Sequence, residues 1–311
     1  MSKTKAPPHE TPRSGRKPPH GRAGGTPSPY VWLIVAFIAA VVAGLVWVNR
    51  PGGSDTTGAS APYTGGDLHS FVSVPGEAGR LYVGGHQAVS ASSDGGATWV
   101  PVNTLEDADA MGWAFLDGAI WMGGHPGLEV STDGGRTFEQ RNDGLPATDI
   151  HALGGMGSTL YAASPAAGFL ASTDGGATWE IRNPGVGQSF MGAMLVDPSN
   201  PDRILAPDMG AGAVESIDGG RTWRALGGVP GAMSVSWDLT DTDVIVVTGS
   251  GNAALSRDGG ASWRDLPIPA GASIVQIDTN DPDTWYAATW MEDGTVDLSR
   301  STDGGSTWTP L

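Results

Sequence analysis

The 311-residue chain has no cysteine. That excludes a disulfide framework, and it excludes zinc sites built on thiolates. Lysine is missing from Pro51 onward, where ten arginines face thirty-two carboxylates, a net charge of −22. Such a balance repels nucleic acid and anionic lipid headgroups, so no nucleic-acid partner is expected. Long apolar runs are also scarce, with one exception near the N-terminus. No phosphate-binding glycine loop, zinc-protease helix or Ser–His–Asp order is visible, which removes the commonest sequence-legible chemistries.

What is present falls into four parts. Residues 1–29 are rich in Pro, Gly, Arg and Lys, with almost no apolar content, and read as a disordered basic tail. Tyr30 to Val48 is an uncharged apolar run of 19 residues with Trp32 and Trp47 near its ends. It has the length and interfacial aromatics of a membrane-spanning helix. The basic tail before it predicts a single-pass protein of the cell membrane, N-terminus cytoplasmic and the remainder extracytoplasmic. A cleaved leader is the competing reading, with Ala59-Ser60-Ala61 as its site. That site lies well beyond the apolar run, which favours a retained anchor. Residues 49–66 read as a flexible linker, and 67–311 as the folded domain.

The folded domain is an internal repeat. SSDGGATW, STDGGRTF, STDGGATW, SIDGGRTW, SRDGGASW and STDGGSTW carry Asp94, Asp133, Asp174, Asp218, Asp258 and Asp303, spaced by 39, 41, 44, 40 and 45 residues. Repeats of this length are the signature of propellers and solenoids. Asp and Gly-Gly suit a tight hairpin, and the flanking hydroxyls close the loop onto its own backbone. These six aspartates are therefore expected to be structural turn residues. The pattern resembles the Asp-box, or BNR, repeat of sialidases, sortilin-type receptors and photosystem assembly factors. The stretch from LHSF through RLYVGGHQAV and MGGHPGLEVSTDGGRTF to DIHALG resembles, more narrowly, the bacterial F510_1955-family glycosylhydrolases. The resemblance implies an all-β, six-bladed β-propeller with the box joining the third and fourth strands of every blade. In blade 1 the strands are expected at His69–Val74, Arg80–Gly84, Ala88–Ser92 and Thr98–Val102. Every blade is contiguous in sequence, so ring closure is expected to rest on packing between blades 1 and 6.

Aligning the blades puts His69, Met111, His151, Met191, Met233 and Ser273 at the start of the innermost strands. The ends of the second strands carry His86, His125, Pro165, Met209, Ser250 and Trp290. Both sets belong to the face opposite the boxes. Imidazole and thioether together are a donor set for copper. The candidate metal ligands are thus His69, His86, His125, His151, Met111, Met191, Met209 and Met233. Asp67, Asp109 and Asp149 sit two residues before an innermost-strand residue. Positions i and i−2 of a strand share a face, so these aspartates are expected to orient histidines by accepting their hydrogen bonds, or to complete a site. The bland alternative is histidines hydrogen-bonded within the blades and methionines filling gaps.

Three functions compete. One is a non-catalytic binding module, with copper as the cofactor and a metal ion or a protein as partner. Another is a glycoside hydrolase working through two carboxylates, for which Asp67, Asp109, Asp149 and Asp208 are the candidates. A standard sialidase is disfavoured because no arginine falls at the histidine end of the channel. The third is a protein-binding assembly scaffold.

Overall fold

The computed structural model describes residues 58–311. The expected tail, the expected membrane segment and residues 49–57 of the expected linker lie outside the described residues. Among the described residues, no helix is long and apolar enough to cross a membrane.

Six antiparallel sheets succeed one another along the chain as the blades of a β-propeller. Blade 1 consists of Leu68–Ser73, Leu81–Gly85, Val89–Ser92 and Val100–Pro101. The innermost strands of blades 2 to 6 begin at Asp109, Ala152, Leu195, Ser234 and Ile274. The inner three strands of each blade are sandwiched between neighbouring blades. They read as nearly continuous apolar or small runs such as LYVGG and GFLAS, each wholly buried. The outermost strands are short and exposed, as in Val100–Pro101 and Glu139–Gln140. Burial on both faces replaces the usual in–out alternation of a half-solvated sheet.

All six Ser-x-Asp-Gly-Gly turns join the third and fourth strands and have one internal geometry. In the first, Ser92 Oγ lies 2.8 Å from Asp94 Oδ1, and Gly96 N donates to Ser92 Oγ at 2.9 Å. Asp94 accepts from Thr98 N at 2.9 Å and from Thr98 Oγ1 at 2.6 Å. Both glycines of every turn have positive φ, for example +72° and +91° at Gly95 and Gly96, a region that side chains rarely enter. The second glycine also seats the neighbouring blade. A Cβ at Gly135 would overlap the Tyr82 hydroxyl of blade 1, and one at Gly220 would overlap the Phe169 ring of blade 3. The turn aspartates are held below the usual carboxylate range. The Thr178 hydroxyl and amide bring Asp174 to about 2, and those of Thr222 bring Asp218 to about 2. Each of these groups is held within its own turn.

Ring closure departs from the expectation of packing alone. Residues 58–66, expected as linker, lie across the seam between blades 1 and 6. Ala59 and Trp99 exchange backbone hydrogen bonds of 3.0 and 2.9 Å on the blade 1 side. On the blade 6 side Val296 N donates to Pro62 O at 3.0 Å and Thr64 N to Gly294 O at 2.9 Å. Thr64 is fully buried, and its carbonyl also accepts from Gln87 N and Ala88 N of blade 1. A peptide group buried at a seam must find partners, and here the partners come from both blades at once. Leu311 adds a contact by packing over Gly96.

A second departure lies at the hub. Gly192–Ala193 leaves blade 4 and pairs in parallel with the innermost strand of blade 3, opposite Ala152 and Leu153. A Cβ on Gly192 would stand 3.2 Å from the Met233 carbonyl and 3.8 Å from those of His69 and Met111. Backbone from four blades therefore meets at Gly192, and its φ of +70° is one that glycine accepts freely. The channel is stoppered at the level of the innermost-strand starts.

Candidate functional site

In an antiparallel blade the start of the first strand and the end of the second lie at one edge, and the third-to-fourth turn lies at the other. His69, His86, His125 and His151 consequently share the face opposite the Gly-Gly turns. The stopper at Gly192 means that they do not surround an open pore. They sit instead along the seams between blades 1, 2 and 3.

At the first seam, His69 Nδ1 lies 2.5 Å from Asp109 Oδ1, and His86 Nδ1 lies 3.9 Å from Asp109 Oδ2. The two imidazoles meet edge to face with centroids 5.7 Å apart. His69 and Asp109 are largely buried, with 15% and 21% of their side chains exposed, whereas His86 is 60% exposed. Among the described residues, these three form the one group of three or more histidine or carboxylate side chains whose donor atoms all lie within 4.8 Å of one another. An Nδ1–H to Asp109 hydrogen bond leaves His69 Nε2 as the lone-pair donor, a carboxylate–histidine arrangement typical of metal ligands.

Local backbone explains the arrangement. The pairing of Leu68–Ser73 with Leu81–Gly85 shifts register between Leu68 and Ser70, at His69. Asp109–Leu116 shifts between Ala110 and Gly112, at Met111. Such bulges re-aim a side chain, and they break the rule that i and i−2 point together. Behind them, Ser70 Oγ donates to Ala110 O at 2.7 Å and accepts Trp113 Nε1–H at 2.9 Å, with all three residues buried. This fully satisfied network pins the two innermost strands beside His69 and Asp109.

The second seam is different. Asp149 Oδ1 lies 3.1 Å from His125 Nδ1 and 3.0 Å from His151 Nε2. Neither contact is aligned as a hydrogen bond, so this buried oxygen has none. The two nitrogens flank the carboxylate rather than converge with it on one point. At the third seam Asp208 takes Ser189 Oγ–H at 2.5 Å and the amides of Gly210 and Ala211 at 2.8 Å.

The expected pairing of Asp149 with His151 is an approach of 3.0 Å just before their strand, without a hydrogen bond. Such a pairing is absent at Asp67, whose backbone carbonyl accepts from His86 N at 3.2 Å while its carboxylate makes no hydrogen bond or ion pair among the described residues. Asp109 faces the histidines of the preceding blade. No methionine sulfur makes a hydrogen bond to these groups among the described residues. Met111 is buried, Met191 and Met233 are half-buried, and Met209 is 50% exposed. Sequence reasoning missed the Asp109–His69 link because it looked along one strand; the 40-residue repeat, read across blades, carried the signal.

Arg80, Arg203 and Arg224 brace the blades. Arg80 Nη2 donates to Gly134 O of the next blade and to the Tyr82 hydroxyl, both at 2.6 Å. Arg203 bridges Asp197, Glu215 and Thr242 at 3.1, 2.9 and 2.7 Å, and Arg224 pairs with Glu215.

No known protein family matches the chain, and no curated protein matches it. Solved structures do. A GH74 xyloglucanase from Xanthomonas campestris is 20% identical with a TM-score of 0.58, over 81% of this chain and 46% of that one. YCF48 from Cyanidioschyzon merolae is 16% identical with a TM-score of 0.51, over 81% and 85% of the two chains. A chain of a nidogen/laminin complex is 12% identical with a TM-score of 0.57, over 74% and 91%. The chain spans less than half the length of the xyloglucanase. At these identities the likeness establishes the propeller fold alone.

Proposed function

We propose that this protein is a non-catalytic binding propeller of the Asp-box type, anchored in the cell membrane by residues 30–48, with its N-terminus cytoplasmic and its propeller outside. On this reading the histidine face takes up a copper ion through His69, His86 and Asp109. The observation that carries it is the approach of two imidazoles and one carboxylate within 4.8 Å. Two nitrogens and an oxygen suit Cu(II) better than the thioether-rich set expected from sequence, which favours Cu(I). The net charge of −22 beyond Pro51 raises the local concentration of any cation. The test is titration of the full chain in detergent with Cu(II), beside a variant carrying His69→Ala and His86→Ala. One tightly held equivalent, lost in the variant, supports the reading. Equal weak uptake by both proteins rejects it.

A protein-binding role is the second reading. Met209, Trp290 and Met291 are exposed apolar side chains at the second-strand ends of blades 4 and 6, and structural relatives include YCF48 bound to a D1 peptide. A glycosidase is favoured less. Asp109 and Asp208 are engaged by histidine, serine or backbone groups, whereas two-carboxylate hydrolysis needs an acid and a base free to face the sugar.

A further inference from the structure

A cavity of the described residues lies away from the histidines. It occupies about 650 Å³ at the turn-face end of the hub, and all six blades contribute to its wall. Residues 193–196, which continue from the stopper at Gly192, line it too. It is therefore a cup, closed toward the histidine face.

The chemistry of the cup is uneven. Phe115, Leu116, Met156, Leu195 and Leu239, from blades 2 to 5, are half-buried side chains on its wall. Trp113 and Trp237 lie deeper and are 2% exposed. The only charged residues lining it are acidic, Glu77 and Asp117, and both are exposed. Three buried polar side chains join the wall, Ser73, Ser131 and Gln276. The Ser73 hydroxyl is paired with Thr279 and that of Ser131 with Asp133 and Gly135. Gln276 comes from blade 6. Its Nε2 donates to the Ile277 carbonyl at 2.6 Å, which fixes the orientation of the amide. The Gln276 Oε1 accepts no hydrogen bond from the described residues. A mostly apolar concavity of this size with one fixed, unpartnered amide oxygen among satisfied hydroxyls has the anatomy of a small-molecule site.

We propose that the cup binds a small, largely apolar molecule, neutral or cationic, that carries an N–H or O–H donor for Gln276 Oε1. The apolar wall supplies the area removed from water. The amide oxygen sets orientation, and the two rim acids, with no basic residue among the lining, turn away anions. The proposal is independent of metal binding, since the stopper at Gly192 separates the cup from His69 and His86.

The probes are 4-(aminomethyl)benzophenone, which is cationic and donor-bearing, and 4-benzoylbenzoate, the same skeleton with a negative charge. Each is photolysed with the full chain in detergent, and the modified residues are mapped by mass spectrometry. Saturable labelling by the amine is expected in peptides containing residues 113–120, 156, 195 or 239, with the carboxylate at least tenfold weaker. Leu239→Arg should abolish that labelling. Gln276→Leu should weaken it by up to about tenfold, the scale of one hydrogen bond. Near-UV circular dichroism of both variants checks that the fold is kept, and Gln276→Leu decides if Leu239→Arg is not folded. The proposal is overturned if labelling scatters outside the cup, if the two probes label alike, or if a folded Leu239→Arg labels like the parent.

Discussion

The two faces of the propeller are built on opposite principles. On the turn face one solution is used six times, with the same hydroxyl–carboxylate–amide contacts and the same pair of left-handed glycines. On the histidine face the repeat is broken. Blades 1 to 3 carry imidazoles and carboxylates, while equivalent positions in blades 4 to 6 hold Met191, Met209, Met233, Ser250, Ser273 and Trp290. Repetition marks what every blade needs in order to stack. Departure from it marks where the ring is no longer only a ring.

Substitutions can sharpen that contrast. The largest effect belongs to the turn face. Trp99 follows its turn, is 2% exposed and donates its indole N–H to Gly96 O at 3.0 Å. Trp99→Ala should cost about 3–5 kcal/mol in urea unfolding, while copper uptake per folded molecule stays as in the parent. Next comes Gly135→Ala, which forces a side chain into a φ of +77° against the Tyr82 hydroxyl. Overpacking of this kind costs about 1–3 kcal/mol, and the same urea midpoint reads it. On the other face, His86→Ala removes an exposed side chain and should change stability by no more than about 0.5 kcal/mol. It should nevertheless weaken Cu(II) binding at least tenfold in a competition titration. A stability loss as large as that of Trp99→Ala would merge the two faces into one structural role.

The smallest effect is acid tolerance. The turn aspartates have folded pKa values below their unfolded ones, Asp174, Asp218 and Asp303 reaching about 2. Their stabilisation is therefore complete above the unfolded carboxylate range and is lost as pH falls from about 4 toward 2. Tryptophan emission followed in an acid titration should move within that window, and Asp174→Asn should make the change shallower.

The turn face was legible in the sequence because everything it needs is local. Ser92, Asp94, Gly96 and Thr98 lie within seven residues, and their contacts are those that the residue types dictate. The histidine face was legible only as a set of positions. The alignment placed His69, His86, His125 and His151 at one edge, but same-strand parity set Asp109 beside Met111 and did not name His69 as its partner. A register shift at Met111 and another at His69 turned that parity, and the resulting partner lies 40 residues away in the neighbouring blade. Asp149 and His151 lie before the strand that begins at Ala152, so strand parity does not govern them, and their 3.0 Å approach is not a hydrogen bond. The segment over 58–66 was misjudged for a related reason. Small and polar residues look like linker until both edges of a seam supply hydrogen-bond partners.

That seam has a consequence for biosynthesis. Thr64 Oγ1 donates to the carbonyl of Gly294, 230 residues further along the chain. Translation delivers the first half of this join long before the second. Five blades can stack in order as they emerge, yet the circle stays open until the sixth arrives and residues 62–64 are gripped from both sides. Until then blade 1 offers a bare edge, with the apolar flank of Phe71 and Leu81 that later meets blade 6 still wet. The nascent chain should be most vulnerable to proteases and to pairing with its own copies during that interval, and robust once the last turn is in place.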